Sequence, residues 1–332
     1  MFKIGDIEIK NRVVMAPMAG ITNGAFRKIV HQFGAGLTYG EMVSDKALCF
    51  NSENTYRMLE VSEEEGIVAM QLFGGELESM VKAAQIIEKE CRAPILDINM
   101  GCPVPKVIKS KAGSYLLKDI DYAYNLIKSI VEAVNKPVTV KLRLGYDNNH
   151  INVVSMAKAM EQAGVKAIAV HGRTKSQMYE GRADWSYIKK VKEAVKVPVI
   201  GNGDIKSCYD AKRMIEETNC DAIMIARGVL GNPWLIKECV DYLEKGILPS
   251  IVTVEDKLRM ILYHAKELIK ISPSELIAMK EMRSHACWYF KGLDNSNKYK
   301  IKLNAMKTLD DLITIIKDYY YEVFSIQLQL DS

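Results

Sequence analysis

The chain has 332 residues, of which 48% are hydrophobic and 26% charged, a balance that excludes disorder as its main state. Its formal net charge of +4, from 45 Lys+Arg against 41 Asp+Glu, is too small to establish a nucleic-acid partner, so any basic surface must come from local clustering. The length suits one large α/β barrel with a small second domain as well as two equal domains.

The longest uncharged run near the N-terminus, Val13 to Phe26, is too short to span a bilayer and contains Pro17, Gly20 and Gly24. Asp6 and Glu8 spoil a signal-peptide reading, so a cytoplasmic protein is expected. The closest pair among the seven cysteines, Cys91 and Cys102, is 11 residues apart. There is no zinc-ligand spacing, no metal is expected, and reduced thiols are.

Short runs rich in Val, Ile and Ala begin near Val13, Leu37, Val68, Ile95, Val138, Ala167, Val197 and Asp221. Such runs suit parallel strands covered on both faces. Each interval holds one helix-period stretch, among them Glu76 to Glu90, Asp119 to Val134 and Ser207 to Glu217. Ser207 with Asp210 resembles a capping box. Eight strand–helix units predict a (β/α)8 TIM barrel over residues 1–244, with an open doubly wound sheet as the alternative. A linker at 245–253 contains Gly246 and Pro249, and a small all-helical domain is expected over 254–332.

Polar residues recur at the strand C-terminal ends, which form the active-site face of a barrel: Gln71, Asn99, Cys102, Lys141, Arg143, His171, Arg173, Asn202, Asp204 and Arg227. The longest interval, 43 residues, follows the fourth strand and carries LDINMGCPVPKVIKSKAG. Cys102, between Gly101 and Pro103, could exchange a proton or act as a nucleophile, or be a buried structural thiol. Lys106, Lys109 and Lys111 in the same loop could lower its pKa or attract an anion. In VKLRLG, period-two alternation sends Lys141 and Arg143 to one side of the strand, where a buried cation calls for an anion or an electron-rich ring. GNGDI at 201–205 and ARG at 226–228 end strands seven and eight, where barrels commonly hold a phosphate. Residues 277–307 contain seven Lys/Arg against two Asp/Glu, with Arg283, His285, Trp288, Tyr289 and Lys291 close together. That mixture suits phosphate contacts and base stacking, or a solvated helix face over a core Trp288.

Together, MAPMAGIT at 15–22, MQLFGG at 70–75, DINMGCPVPKV at 97–107, AGSYLL at 112–117, VKLRLG at 140–145, HGRTKSQMYEGRADW at 171–185, GNGDI at 201–205, ARGVLGNPW at 226–234 and MRSHACWYFKG at 282–292 resemble the bacterial tRNA-dihydrouridine synthases. One departure is Asn23, at a turn position where that family more often shows Asp. The resemblance implies an FMN-binding barrel followed by a helical tRNA-binding domain. It implies NADPH as reductant, hydride transfer to C6 of a uridine in the tRNA D-loop, and Cys102 as the general acid at C5. Ala16, Pro17 and Met18 would line the flavin; Gln71, Lys141 and His171 would contact its ring or ribityl chain. Asn202, Gly203, Asp204, Ala226 and Arg227 would hold the ribityl and phosphate end. Asn99 would bind the target base; Arg143, Arg173, Arg283 and Lys291 complete the expected substrate contacts. Two other readings stand beside it: an FMN barrel acting on a free pyrimidine, like the dihydroorotate dehydrogenases, and a non-catalytic RNA-binding protein on a barrel scaffold.

Overall fold

In the computed structural model, which describes residues 1–329, the chain begins with an antiparallel hairpin, Phe2–Ile4 paired with Ile7–Ile9. Strands this short carry no readable periodicity, and they were not expected. The eight expected strands follow: β1 (Val13–Met15), β2 (Thr38–Tyr39), β3 (Val68–Phe73), β4 (Ile95–Met100), β5 (Val138–Arg143), β6 (Ala167–His171), β7 (Val199–Asn202) and β8 (Ala222–Ile225). They pair in parallel in the order β1-β8-β7-β6-β5-β4-β3-β2. A bridge between Val14 and Leu37, with the Met15 N–H donating to the Leu37 carbonyl at 3.0 Å, closes the ring. An open sheet is thereby excluded, and the fold is a TIM-type barrel.

Helices alternate with the strands: α1 (Gly24–Gln32), α2 (Leu77–Glu90), α3 (Ile120–Ala133), α4 (Val153–Gln162), α5 (Ser186–Ala194), α6 (Cys208–Thr218) and α7 (Trp234–Lys245). Two short helices, Asp45–Cys49 and Glu53–Arg57, follow β2. Asn23 is the N-cap of α1, its side chain accepting from the Phe26 N–H at 3.1 Å; an Asp would do the same, which explains why the departure is harmless. Ser207 caps α6, but the Asp210 carboxylate returns to the Ser207 hydroxyl and the Lys206 N–H, not to the Ser207 N–H.

Pleating divides each strand between two cores. Val138, Val140 and Leu142 face the helices, whereas Ile95, Ala167, Ala169, Ile200, Ala222 and Met224 fill the barrel interior. Ile4 and Ile9 of the hairpin are fully buried in that interior cluster and plug the N-terminal end of the barrel. Polar side chains are left for the opposite, C-terminal end.

Beyond a left-handed C-cap at Gly246, α8 (Val254–Ile271) starts with a Thr253–Asp256 capping box, followed by α9 (Glu275–Tyr289), α10 (Ser296–Ala305) and α11 (Leu309–Phe324). Residues 330–332 of the expected helical domain lie outside the described residues. This region has its own core around Leu258, Met279, Met282, Phe290, Tyr299 and Ile316, joined by Ala25 of α1. It packs on α1 through the Lys28–Glu267 ion pair at 2.7 Å, a Gln32–Tyr263 hydrogen bond at 2.8 Å and a Phe26–His264 ring stack at 5.4 Å.

Candidate active site

One continuous chain of hydrogen bonds runs across β5, β4 and β3 and ends on the loop that carries Cys102. Thr139 Oγ1 donates to Asp97 Oδ1 at 2.6 Å, and Gln71 Nε2 donates to Asp97 Oδ2 at 2.6 Å. Asn99 Nδ2 then donates to Gln71 Oε1 at 2.8 Å. Asn99 Oδ1 in turn accepts the N–H groups of Gly101 at 3.1 Å and Cys102 at 2.8 Å. Thr139, Asp97, Gln71 and Asn99 are all buried. The interval after β4 is filled by a short helix, Pro105–Lys109, and a 3-10 helix, Gly113–Lys118, and the Cys102 carbonyl accepts from the Ser114 N–H at 3.1 Å. Gly113 is obligatory here: it has φ +61°, and a Cβ would stand 2.8 Å from that carbonyl oxygen.

The electrostatics differ from the expectation based on the loop lysines. Burial pushes the Cys102 thiol up, against the pull of the Val104 N–H, Arg143 and Lys141. Lys106, Lys109 and Lys111 are exposed and are not among the groups that shift it. The thiol is therefore protonated at neutral pH, a state suited to giving a proton and not to acting as a thiolate nucleophile. Burial also raises the Asp97 carboxyl to about 6. It lowers the Lys141 ammonium, with help from the Arg143 charge, to about 8. Lys141 Nζ donates to Asn202 Oδ1 at 3.2 Å, and Asn202 Nδ2 donates to the Met224 carbonyl at 2.7 Å.

His171 is buried, and burial followed by the charges of Lys141, Arg143, Arg173 and Arg227 holds it well below the usual imidazole range. Arg173 Nη1 lies 3.3 Å from His171 Nε2; a guanidinium can only donate, so Nε2 accepts and the neutral ring carries its proton on Nδ1. Asp204 has φ +58° and forms a two-oxygen ion pair with Arg173 Nη2 at 2.8 and 2.9 Å. Burial acts against ionisation of Asp204, but the Ala183 N–H and the Arg173 guanidinium hold its carboxyl below the usual range.

Arg143 and Arg173 are placed differently from the expected substrate contacts. Both are almost fully buried. Arg143 donates to the carbonyls of Gly101, Thr174 and Met178, each at 2.8 Å. Arg173 donates to Glu180 at 3.0 Å and Gly181 at 2.7 Å. Both cations thus clamp the 174–181 loop after β6. Backbone carbonyls as partners leave no mark in a sequence, so this commitment was not readable. The loop carries Tyr179, 52% exposed, whose ring lies 5.6 Å from the Arg143 guanidinium and 4.6 Å from that of Arg227. Tyr179, Asp97 and Thr139 were not singled out from the sequence. Asp97 and Thr139 had a signal, their period-two spacing from Asn99 and Lys141.

Ala16, Pro17 and Met18 follow β1 at the same end of the barrel, with the Ala16 N–H on the Ile225 carbonyl at 2.8 Å. Gly203 has φ +128°, its carbonyl accepts from Trp185 Nε1 at 3.0 Å, and Ala226 and Arg227 open the turn after β8. An open cavity of about 980 Å³ flanks the β6 and β7 ends and is lined by Arg173, Tyr179, Asp204, Lys206 and Arg227 among others.

The basic strip of the helical region is partly consumed internally. Arg283 Nε and Nη2 both donate to the Met306 carbonyl, at 3.0 and 2.7 Å, in place of the expected display to substrate. Lys298 and Lys302 pair with Glu322 and Asp318. Lys291 is exposed and lines a smaller cavity of about 380 Å³ with Trp288, Lys257 and the 230–232 turn. All seven cysteines are free thiols, and no helix among the described residues is long and apolar enough to cross a membrane.

Residues 14–322 match the family model of dihydrouridine synthase. The chain is 39% identical over 318 residues to "tRNA-dihydrouridine synthase B" of Pasteurella multocida, covering 96% of this chain and 95% of the relative. It is 38% identical to the enzyme of the same name from Vibrio vulnificus, covering 97% and 100%. A "probable tRNA-dihydrouridine synthase" of Rickettsia conorii is also 38% identical, covering 97% of each. Among solved structures, the old yellow enzyme homologue of Zymomonas mobilis superposes with TM-score 0.53 at 15% identity, over 76% of this chain and 93% of that one. Histamine dehydrogenase from Rhizobium sp. 4-9 gives 0.58 at 16% identity, over 80% and 50%. Those two likenesses establish the barrel fold alone. The sequence relatives and the family match, spanning nearly the whole chain, establish the rest: the chain belongs to the dihydrouridine synthase family.

Proposed function

We propose that this protein reduces uridine to 5,6-dihydrouridine in tRNA, with FMN as its bound cofactor and NADPH as reductant. The observation that carries the reading is the Thr139–Asp97–Gln71–Asn99 chain, which fixes the backbone of a thiol that burial keeps protonated. The residues present fit FMN. Lys141, Arg143, Arg173 and Arg227 all act on His171, an excess of positive charge at the barrel mouth that suits a phosphate and an electron-rich ring. Asn202, Gly203, Asp204, Ala226 and Arg227 would hold the ribityl and phosphate end. Ala16, Pro17, Met18, Gln71, Lys141 and His171 would border the ring. When bound and reduced, FMN supplies the hydride that C6 of the uracil receives.

The chain's own part is to bind, orient and move one proton. The Cys102 thiol donates to C5, and the cations Lys141 and Arg143 stabilise the thiolate left behind. The second hydrogen of the Asn99 amide, which meets only the weak Met42 Sδ acceptor at 3.7 Å, would turn to the target base, while its oxygen keeps the thiol turn in place. Neutral His171 donates through Nδ1 without adding charge. The helical region and Lys291 would orient the tRNA, since a uridine within folded tRNA must leave its stack to reach a barrel mouth. A free-pyrimidine substrate would leave that region without a task. The test is incubation of unmodified tRNA transcript with flavin-loaded protein and NADPH. Dihydrouridine in the product is the expected result; its absence, together with turnover of a free pyrimidine, would overturn the assignment to tRNA.

A further inference from the structure

The large cavity extends beyond the residues proposed for the flavin, into the space between the β6 and β7 loops and the helices α5 and α6. We propose that this outer part is a second RNA-binding surface, which seats the sugar–phosphate backbone and one base of nucleotides flanking the target uridine. The proposal rests on the reading of the protein as a tRNA-reducing enzyme.

Three observations support it. The first is charge. Arg173 is neutralised by Asp204, and Arg213 lies against Glu217 and Asp210. Apart from Arg227, given to the cofactor phosphate, Arg182 and Lys206 also line the cavity, and neither makes an ion pair among the described residues. The acidic residue facing them, Asp184, is turned to the N-terminus of α5, where it accepts from the Ser186 N–H and hydroxyl. An open wall with surplus cations is the electrostatic signature of a phosphate backbone.

The second is the aromatic content. Tyr179 stands exposed at the rim, whereas Trp185 is 8% exposed and turns its ring to the Arg213 guanidinium at 4.8 Å. An exposed ring beside cations binds an unstacked base of any sequence. The third is rigidity. The loop that presents Tyr179 is tied down by four carbonyl bonds from the buried Arg143 and Arg173, and Met178 beside it holds φ +49°. That conformation is strained for a residue with a side chain and persists only because the surroundings impose it. A preorganised exposed ring loses little freedom when a base stacks on it. The helical region packs on α1 and on the 230–232 turn after β8. The tRNA would therefore contact both the helical region and the loops after β6 and β7.

The test measures binding of unmodified tRNA transcript directly, as a function of salt. It compares wild type with the Arg182→Ala/Lys206→Ala double variant, and with Tyr179→Ala and Tyr179→Phe. FMN content and the rate of flavin reduction by NADPH are recorded for each. The double variant is expected to keep its flavin and to lower the log–log salt slope by about one to two, one for each lost phosphate contact. Tyr179→Ala is expected to raise KM for tRNA about tenfold with a smaller change in kcat, and Tyr179→Phe to restore it. An unchanged salt slope would overturn the proposal. So would a rise in KM for NADPH alone, which would give the cations to the reductant's phosphates, or a loss of FMN, which would give them to the cofactor. Because binding is read independently of turnover, a wild type that binds tRNA without reducing it would refute the proposed function and leave this surface intact.

Discussion

Asn99 is the link on which the site depends, and Asn99→Ala tests it. The substitution removes the acceptor for the Gly101 and Cys102 N–H groups and the donor to Gln71, three bonds of 2.8–3.1 Å around a side chain that is 7% exposed. Leaving a buried partner unpaired costs about 1–3 kcal/mol. The Cys102 turn is half-buried, so water replaces part of the loss there, and about 3 kcal/mol in total is a fair sum. At roughly 2–4 °C per kcal/mol for a large domain, the melting temperature should fall by about 6 °C or more. Turnover should fall further than stability suggests, by about 10²-fold, because a thiol displaced by about 1 Å loses its line to the reacting carbon. Thermal melting and turnover on tRNA, normalised to bound flavin, are the assays. If Asn99 only bound the base, KM would rise while the melting temperature stayed within about 1 °C of wild type; that outcome would refute the positioning role.

Gly231→Ala should loosen the helical region from the barrel. The residue has φ +67°, and a Cβ would lie 2.3 Å from the Trp288 carbonyl carbon and 2.4 Å from its oxygen, backbone that cannot rotate away. Faster limited proteolysis across residues 246–252 is expected, and an unchanged digestion rate would contradict it. Arg283→Ala should lower the melting temperature, because the Met306 carbonyl loses both its donors, yet leave the salt slope of tRNA binding unchanged. Lys291→Ala should flatten that slope by about one without a melting change; the reverse pattern would show that the two roles are exchanged. Acid should weaken the region around α8 and α9. His264 and His285 are buried with ring centroids 4.4 Å apart, and burial lowers His285 to about 4 and His264 well below its usual value. Unfolded histidines bind protons near pH 6.5, so stability is present above that pH and is lost as pH falls from about 6.5 toward 4. His285→Phe should reduce the acid slope of the melting temperature by about one proton, and a slope identical to wild type would remove His285 from the cause.

The barrel was legible because a parallel strand covered on both faces must be a near-continuous apolar run, and the interruptions of those runs by Gln71, Asn99, Lys141 and His171 marked its open end. The hairpin at residues 2–9 was not legible, because three-residue strands carry too few positions to show alternation. Side-chain destinations were the larger loss. Arg143, Arg173 and Arg283 read as cations available to a substrate, but their main partners are backbone carbonyls, which any sequence could supply. The Cys102 thiol shows the same limit: neighbouring lysines in the chain suggested a lowered pKa, whereas folding turns those lysines to solvent and leaves burial to decide.

The most direct test of the account follows the oxidative half of the reaction. Wild type and Cys102→Ala, both loaded with FMN, are reduced by NADPH without oxygen and then mixed with unmodified tRNA transcript. Both should be reduced at similar rates. Wild type should then reoxidise its flavin and form dihydrouridine, while Cys102→Ala should do so about 10²–10⁴ times more slowly, the usual contribution of a general acid. Reoxidation of the variant within a few-fold of wild type, with dihydrouridine formed, would contradict the assignment of the proton to Cys102.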